Sequence, residues 1–137
     1  MVGIIDTLFG VGQKLFGLRM ELSKARLARK STVADFLDSI AESIEDVSVQ
    51  LKANIYPHGK CHEILMHSRQ IETAIGDLIG ESSAHDLSAQ LDEVHQIEKL
   101  YAELSADTEV GRQEKLIVLD QAAGQFRATA AYVRVSR

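Results

Sequence analysis

The chain has 137 residues, 45% hydrophobic and 26% charged, with 5% aromatics, no Trp and one Pro, Pro57; this is one domain with a real core, and its composition favours helices over short strands. A formal net charge of −5 argues against nucleic acid as the main ligand, because phosphate binding wants a net basic surface. The lone Cys61 excludes an intramolecular disulfide, and neither a secretory leader nor a run of about 18 uncharged apolar residues is visible, so a cytoplasmic protein is expected.

Residues 1–30 read as one amphipathic, basic N-terminal helix. At about 100° per residue, Val2, Ile4, Ile5, Leu8, Phe9, Val11, Leu15, Phe16 and Leu18 share an arc of roughly 200°. A surface helix meeting one core needs only about 100°, which leaves room for something besides the bundle to cover the excess. Gly3, Gly10 and Gly17 form a ridge on the opposite side. Each costs a helix about 1 kcal/mol relative to alanine, and such a ridge suits close backbone approach, as between helices in lipid. Gly12, alone on the apolar arc, does not fit that account. Arg19, Lys24, Arg26, Arg29 and Lys30 follow as a basic collar. An apolar wedge followed by bases is what a segment settling on anionic lipid head groups requires. The plainer reading is a helix docked between two others in a five-helix bundle.

The next helix is expected over 32–55, where Val33, Phe36, Leu37, Ile40, Ile44, Val47, Leu51 and Ile55 fall on one stripe after a Thr32/Asp35 capping pair. It should end near Tyr56-Pro57-His58-Gly59. Residues 60–79 repeat the pattern through Cys61, Ile64, Leu65, Ser68, Ile71, Ile75 and Leu78, with Gly80 as the terminating residue. Ser82 or Ser83 is expected to cap a helix over 84–105, carrying Leu87, Leu91, Val94, Ile97, Tyr101 and Leu104. Asp107 or Thr108 should open the last helix, 108–134, along Leu116, Leu119, Ala123, Phe126, Ala130 and Val133. Short connections make sequential helices antiparallel neighbours, giving an all-α antiparallel bundle of four or five helices. Charge is uneven: residues 1–30 carry six bases against two acids, 81–109 eight acids against Lys99, and 110–137 five bases against two acids. The acidic stretch is therefore expected to hold the basic collar at rest, through pairs worth about 0–1 kcal/mol each.

Few residues suggest chemistry. His58, Cys61, His62 and His67 are the densest potential metal ligands, but zinc wants four N or S ligands in a tetrahedron. His62 and His67 sit about 140° apart on a helix, and Cys61 belongs to the apolar stripe. A di-iron bundle needs two Glu-x-x-His pairs, and only Asp92-Glu-Val-His95 occurs, once. Neither a dinucleotide fingerprint, a phosphate loop nor a nucleophile elbow is present. No catalytic residue, metal or cofactor is expected.

The plan resembles the membrane-targeting cell-death domains: the HeLo and HeLo-like domains, the N-terminal bundle of mixed-lineage kinase-like pseudokinases, and their Bell-type bacterial analogues. The resemblance rests on a helical bundle opened by a glycine-bearing apolar segment, Val2 to Gly17. It departs from that class at Asp6, which interrupts the apolar run, and in having no amyloid-type signalling segment after Arg137. It implies a non-enzymatic, latent effector whose first helix leaves the bundle on activation and perturbs membrane. Anionic lipid, self-association on activation and an upstream receptor-like protein are the partners it implies, with movement from the cytoplasm to the inner membrane surface. The rival expectation is a soluble adaptor or regulatory bundle that binds a partner protein through a helical groove.

Overall fold

A computed structural model of the chain describes residues 3–93 and 97–136. All regular structure among them is helical: α1 Ile4–Gly17, α2 Arg19–Leu22, α3 Leu27–Lys52, α4 His58–Ser68, α5 Ile71–Ile79, α6 Glu81–Asp92, α7 Ile97–Ser105 and α8 Glu109–Val135. The all-α bundle is therefore present, with the expected long segments divided into more and shorter pieces. Val2, Val94 and His95 lie outside the described residues.

The longest helices, α3 and α8, form the central pair, and their cross-links fix its direction. Arg112 donates to the Leu51 carbonyl, Ser48 Oγ to Asp120 at 2.6 Å, Arg127 Nε to Glu45 at 2.9 Å, and Arg134 to Asp35 at 2.6 Å. Rising numbers on α8 meet falling numbers on α3, so the two are antiparallel. Along this seam Val33, Leu37, Ile40, Ile44, Val47 and Leu51 of α3 are buried, as are Leu116, Leu119, Ala123, Phe126, Ala130 and Val133 of α8. Helix α4 returns antiparallel to α3, with Lys60 beside Asp46 and His67 edge-on to Phe36.

Local chemistry explains where the boundaries fall. At the end of α1 the Leu18 amide reaches both the Lys14 and Leu15 carbonyls, a tightened last turn that stops the expected 1–30 helix at Gly17. The extended Arg26 (ψ 147°) then restarts the chain as α3, so Thr32 and Asp35 are interior rather than capping, and Arg29 and Lys30 belong to α3. That helix ends at Lys52, earlier than its stripe suggests. Asn54 takes the left-handed conformation (φ 58°) and the Ile55 amide returns to the Gln50 carbonyl, a helix-terminating motif that leaves Ile55 exposed. The 60–79 segment breaks at Arg69–Gln70, where the Gln70 amide bonds to the His67 carbonyl. Gly80, at φ 93°, ends α5 as expected but also starts α6, which places Ser82 and Ser83 inside the helix. Thr108 does cap α8: its hydroxyl accepts from the Gly111 amide at 3.0 Å.

Candidate functional site

Helix α1 packs on α8, α6 and α2. Gly3, Ile5 and Asp6 lie near Gly111, Glu114 and Val118, Gly12 lies against Ala122 and Phe126, and Arg19 faces Tyr132. Numbers rise together, so the first helix runs parallel to the last. Ile4, Ile5, Leu8, Val11 and Leu15 are buried, the last three completely, while Phe9 and Phe16 are half-buried. The roughly 200° arc is wide because α1 meets neighbours on more than one side. The plainer reading, a helix docked between others, is the one this packing matches, and only the edge of the arc at Phe9, Phe16 and Leu18 stays partly open.

The glycines also change roles. Nothing lies within 4 Å of where a Cβ would stand on Gly10 or Gly17, and a Cβ on Gly3 would meet only the Glu103 carboxylate, at 3.1 Å. In this fold the expected ridge brings no backbone close. That work falls to Gly12, whose added Cβ would stand 2.9 Å from Gln125 Cβ, 3.2 Å from the Ala122 carbonyl oxygen and 3.3 Å from the Phe126 ring. At Gly12 the two helices α1 and α8 come into close contact. Its signal was present in the sequence as the one glycine on the apolar arc.

The collar is not one surface. Arg29 donates to Asp77 at 2.5 and 2.8 Å and to the Ala74 carbonyl at 2.6 Å, binding α3 to α5. That hydrogen bond raises the Arg29 pKa and holds the Asp77 carboxyl below the usual carboxylate range. Lys30 is buried and donates to the Ser136 carbonyl at 2.7 Å, fastening the end of α8 to the start of α3. Arg19 donates to the Phe16 carbonyl at 2.9 Å and lies over the Phe16 and Tyr132 rings, 4.4 and 5.4 Å from their centroids. Lys24 and Arg26 are exposed, with no ion pair among the described residues. The expected hold by the acidic 81–109 stretch is not how the collar is fixed. Glu81 lines the cleft beside Arg29, but the ion pair goes to Asp77.

The side chain of His58 lies outside the described residues, and Cys61, His62 and His67 have different surroundings. Cys61 is buried in the core, and burial pushes its thiol up to about 12, where it is an inert small hydrophobe. His62 is exposed. Burial lowers the His67 pKa, opposed by the nearby Glu63 carboxylate and a hydrogen bond with Gln70. Among the described residues no group of three His, Cys, Asp or Glu side chains is placed to hold a metal ion. Searches against protein-family models, characterised proteins and solved structures give no match.

Proposed function

We propose that this bundle is a non-catalytic, latent membrane-active effector of the cell-death or defence type, at rest with α1 seated and active when α1 leaves. The observation that supports the reading is the construction of α1. It is a helix with a broad apolar face, and beyond the turn at Leu18 it is followed by bases. Burying Ile4, Ile5, Leu8, Val11 and Leu15 contributes about 8–15 kcal/mol at 1.5–3 kcal/mol each, comparable with the whole stability of an ordinary domain. Release into water is therefore rare, as latency requires. Release against lipid is different, because the bilayer buries the same face again.

The 14 residues of α1 span about 21 Å at 1.5 Å each, short of a hydrocarbon core of about 30 Å. No described helix is long and apolar enough to cross a membrane. In this reading α1 lies in the interface as a wedge, with Gly10 and Gly17 on its outer side and Asp6 and Lys14 in the head-group layer. Self-association after release, a receptor-like protein that supplies the trigger, and movement from the cytoplasm to the inner membrane surface belong to the same proposal.

The test loosens α1 without removing it. In Gly12→Leu the side chain cannot fit beside Ala122 and Gln125, so hydrogen exchange should speed up in α1 while α3 and α8 stay protected. That variant should release dye from anionic vesicles, and the unmodified chain should not. A Gly12→Leu protein with a demonstrably mobile α1 and intact vesicles would overturn the proposal and leave the adaptor reading.

A further inference from the structure

The outer face of α8 carries a repeat that the bundle does not use. Its core side, from Leu116 to Val133, is buried against α1 and α3. On the opposite side, alternating steps of four and three from Val110 to Val135 pick out eight positions, and every one is exposed. Six of the eight are apolar or glycine, and the one charge among them is Glu114. Val110 is 66% exposed, Ile117 56% and Val135 78%. A step averaging 3.5 residues keeps a single seam turned towards another helix along its whole length. Helices α1 and α3 flank this seam without covering it. Val118, Gln125 and Tyr132 lie on the α1 side, and Asp120, Arg127 and Arg134 on the α3 side.

The seam is complementary to itself. When two copies of α8 run antiparallel with the repeat fully overlapped, Val110 meets Val135 of the second copy and Glu114 meets Ala131. Nearer the middle, Ile117 meets Ala128 and Gln121 meets Gly124. Each longer side chain inside the seam then stands against a small one, which lets the two axes approach closely. A two-fold axis makes every such contact twice. On the α3 side the same register sets Asp120 opposite Arg127 of the second copy, so charge matches as well as size. A parallel pair would instead set Glu114 against Glu114 and align the two helix dipoles. Val49, 63% exposed, shares its flank of α3 with Glu45 and Lys52, which bond to Arg127 and Asp120. It therefore stands level with the middle of the seam and adds apolar surface beside the axis.

We infer that the resting chain forms a two-fold antiparallel dimer through the outer face of α8, with Ile117 seated over Ala128 and Asp120 facing Arg127 of the second copy. The dimer belongs to the closed bundle, with α1 seated, and is separate from any association that follows release of α1. The seam is about 38 Å long and about 10 Å wide. That places it among the smaller interfaces, under about 1,200 Å² in total, so the pair comes apart on dilution.

Sedimentation velocity of the full chain from about 1 µM to about 1 mM should show a reversible monomer–dimer equilibrium. Two lysines on the same face then separate this register from others. Ala128→Lys sets an ammonium against Ile117 with no acceptor, twice per dimer. It should weaken association at least about a hundredfold, about tenfold at each site. Ala131→Lys sets the same charge opposite Glu114 and should leave the dimer as tight as before or up to about fivefold tighter per pair. Met66→Lys, at an exposed position on α4, should associate as the unmodified chain does. All three positions are exposed, and circular dichroism checks that each variant folds. A chain that stays monomeric throughout overturns the inference and leaves the face to a helix of another protein. Equal weakening by Ala128→Lys and Ala131→Lys overturns the antiparallel register, and equal weakening by Met66→Lys places the contact on another surface. Vesicles enter none of these measurements, so this inference and the proposed function fail independently.

Discussion

Replacing each of three α1 glycines by alanine should change stability with opposite signs, and the contrast tests the α1–α8 seam directly. Alanine in a helix interior is favoured over glycine by about 1 kcal/mol. At Gly10 nothing opposes that gain, because the space around it is open. Gly10→Ala should therefore stabilise by about 1 kcal/mol, and Gly17→Ala, at the last residue of α1, by a few tenths. At Gly12 the same methyl stands 2.9 Å from Gln125 Cβ and 3.2 Å from the Ala122 carbonyl oxygen. Neither atom is the free end of a flexible side chain, so the helices must separate. Overpacking of this kind costs about 1–3 kcal/mol, which outweighs the propensity gain and leaves Gly12→Ala destabilised by about 1–2 kcal/mol at the upper range of that cost. At about 4 °C per kcal/mol for a domain of this size, Gly12→Ala and Gly10→Ala should differ in Tm by about 8–12 °C. Urea unfolding followed by circular dichroism gives the same comparison in free energy. If Gly12→Ala is as stable as Gly10→Ala, α1 is not seated on α8 as described, and the latency argument loses its foundation.

Two further predictions concern buried polar groups. Asp120 accepts from Ser48 Oγ at 2.6 Å and from Lys52 Nζ at 2.8 Å. Ser48 is buried, so Asp120→Ala leaves its hydroxyl without that partner and should cost about 1–2 kcal/mol. Adding Ser48→Ala should recover part of the loss, and an additive double variant would show that the two side chains do not interact. His67 gives a pH signature. Burial lowers its pKa in the fold, whereas in the unfolded chain it titrates near 6.5, about the model-peptide value. Between those values the unfolded state binds more protons, so stability is complete above pH of about 6.5 and falls as the pH drops towards the folded value. His67→Gln should flatten that slope in urea midpoints measured from pH 7.5 to 5.5, and an unchanged slope would assign it to other groups.

The helical stripes were legible wherever burial repeats at steps of three and four. Every apolar residue assigned to the core face of the last helix, from Leu116 to Val133, is buried. Breaks without glycine or proline were not legible. The interruption at Arg69–Gln70 lies in an unbroken stripe, since Ser68 and Ile71 are both buried across it. Asn54 ends α3 before Ile55, a residue that matches the stripe and faces solvent. The apolar arc of α1 was correctly drawn, but its spacing left docking between helices and contact with lipid both open, because residue spacing counts apolar positions and not the neighbours that cover them. The collar failed as a unit for a related reason. Helical periodicity was extended through Ser23–Arg26, and the turn there sends Arg29 to Asp77 and Lys30 to Ser136. Only Lys24 and Arg26 remain as the exposed cations of that group without an ion pair among the described residues.

The seating of α1 on α8 joins the two ends of the chain, with Gly12 against Ala122 and Phe126. During synthesis this has a temporal consequence. The first helix leaves the ribosome more than a hundred residues before the surface that receives it, at rates of about 5–20 residues per second. For roughly 5–20 s its apolar face lacks its main native partner, and native contacts so distant in sequence are the slowest to form. A nascent chain halted before α8 would present Leu8, Val11 and Leu15 to whatever surface lies nearest. Each new molecule thus passes once, unprompted, through the exposed state that the finished bundle conceals.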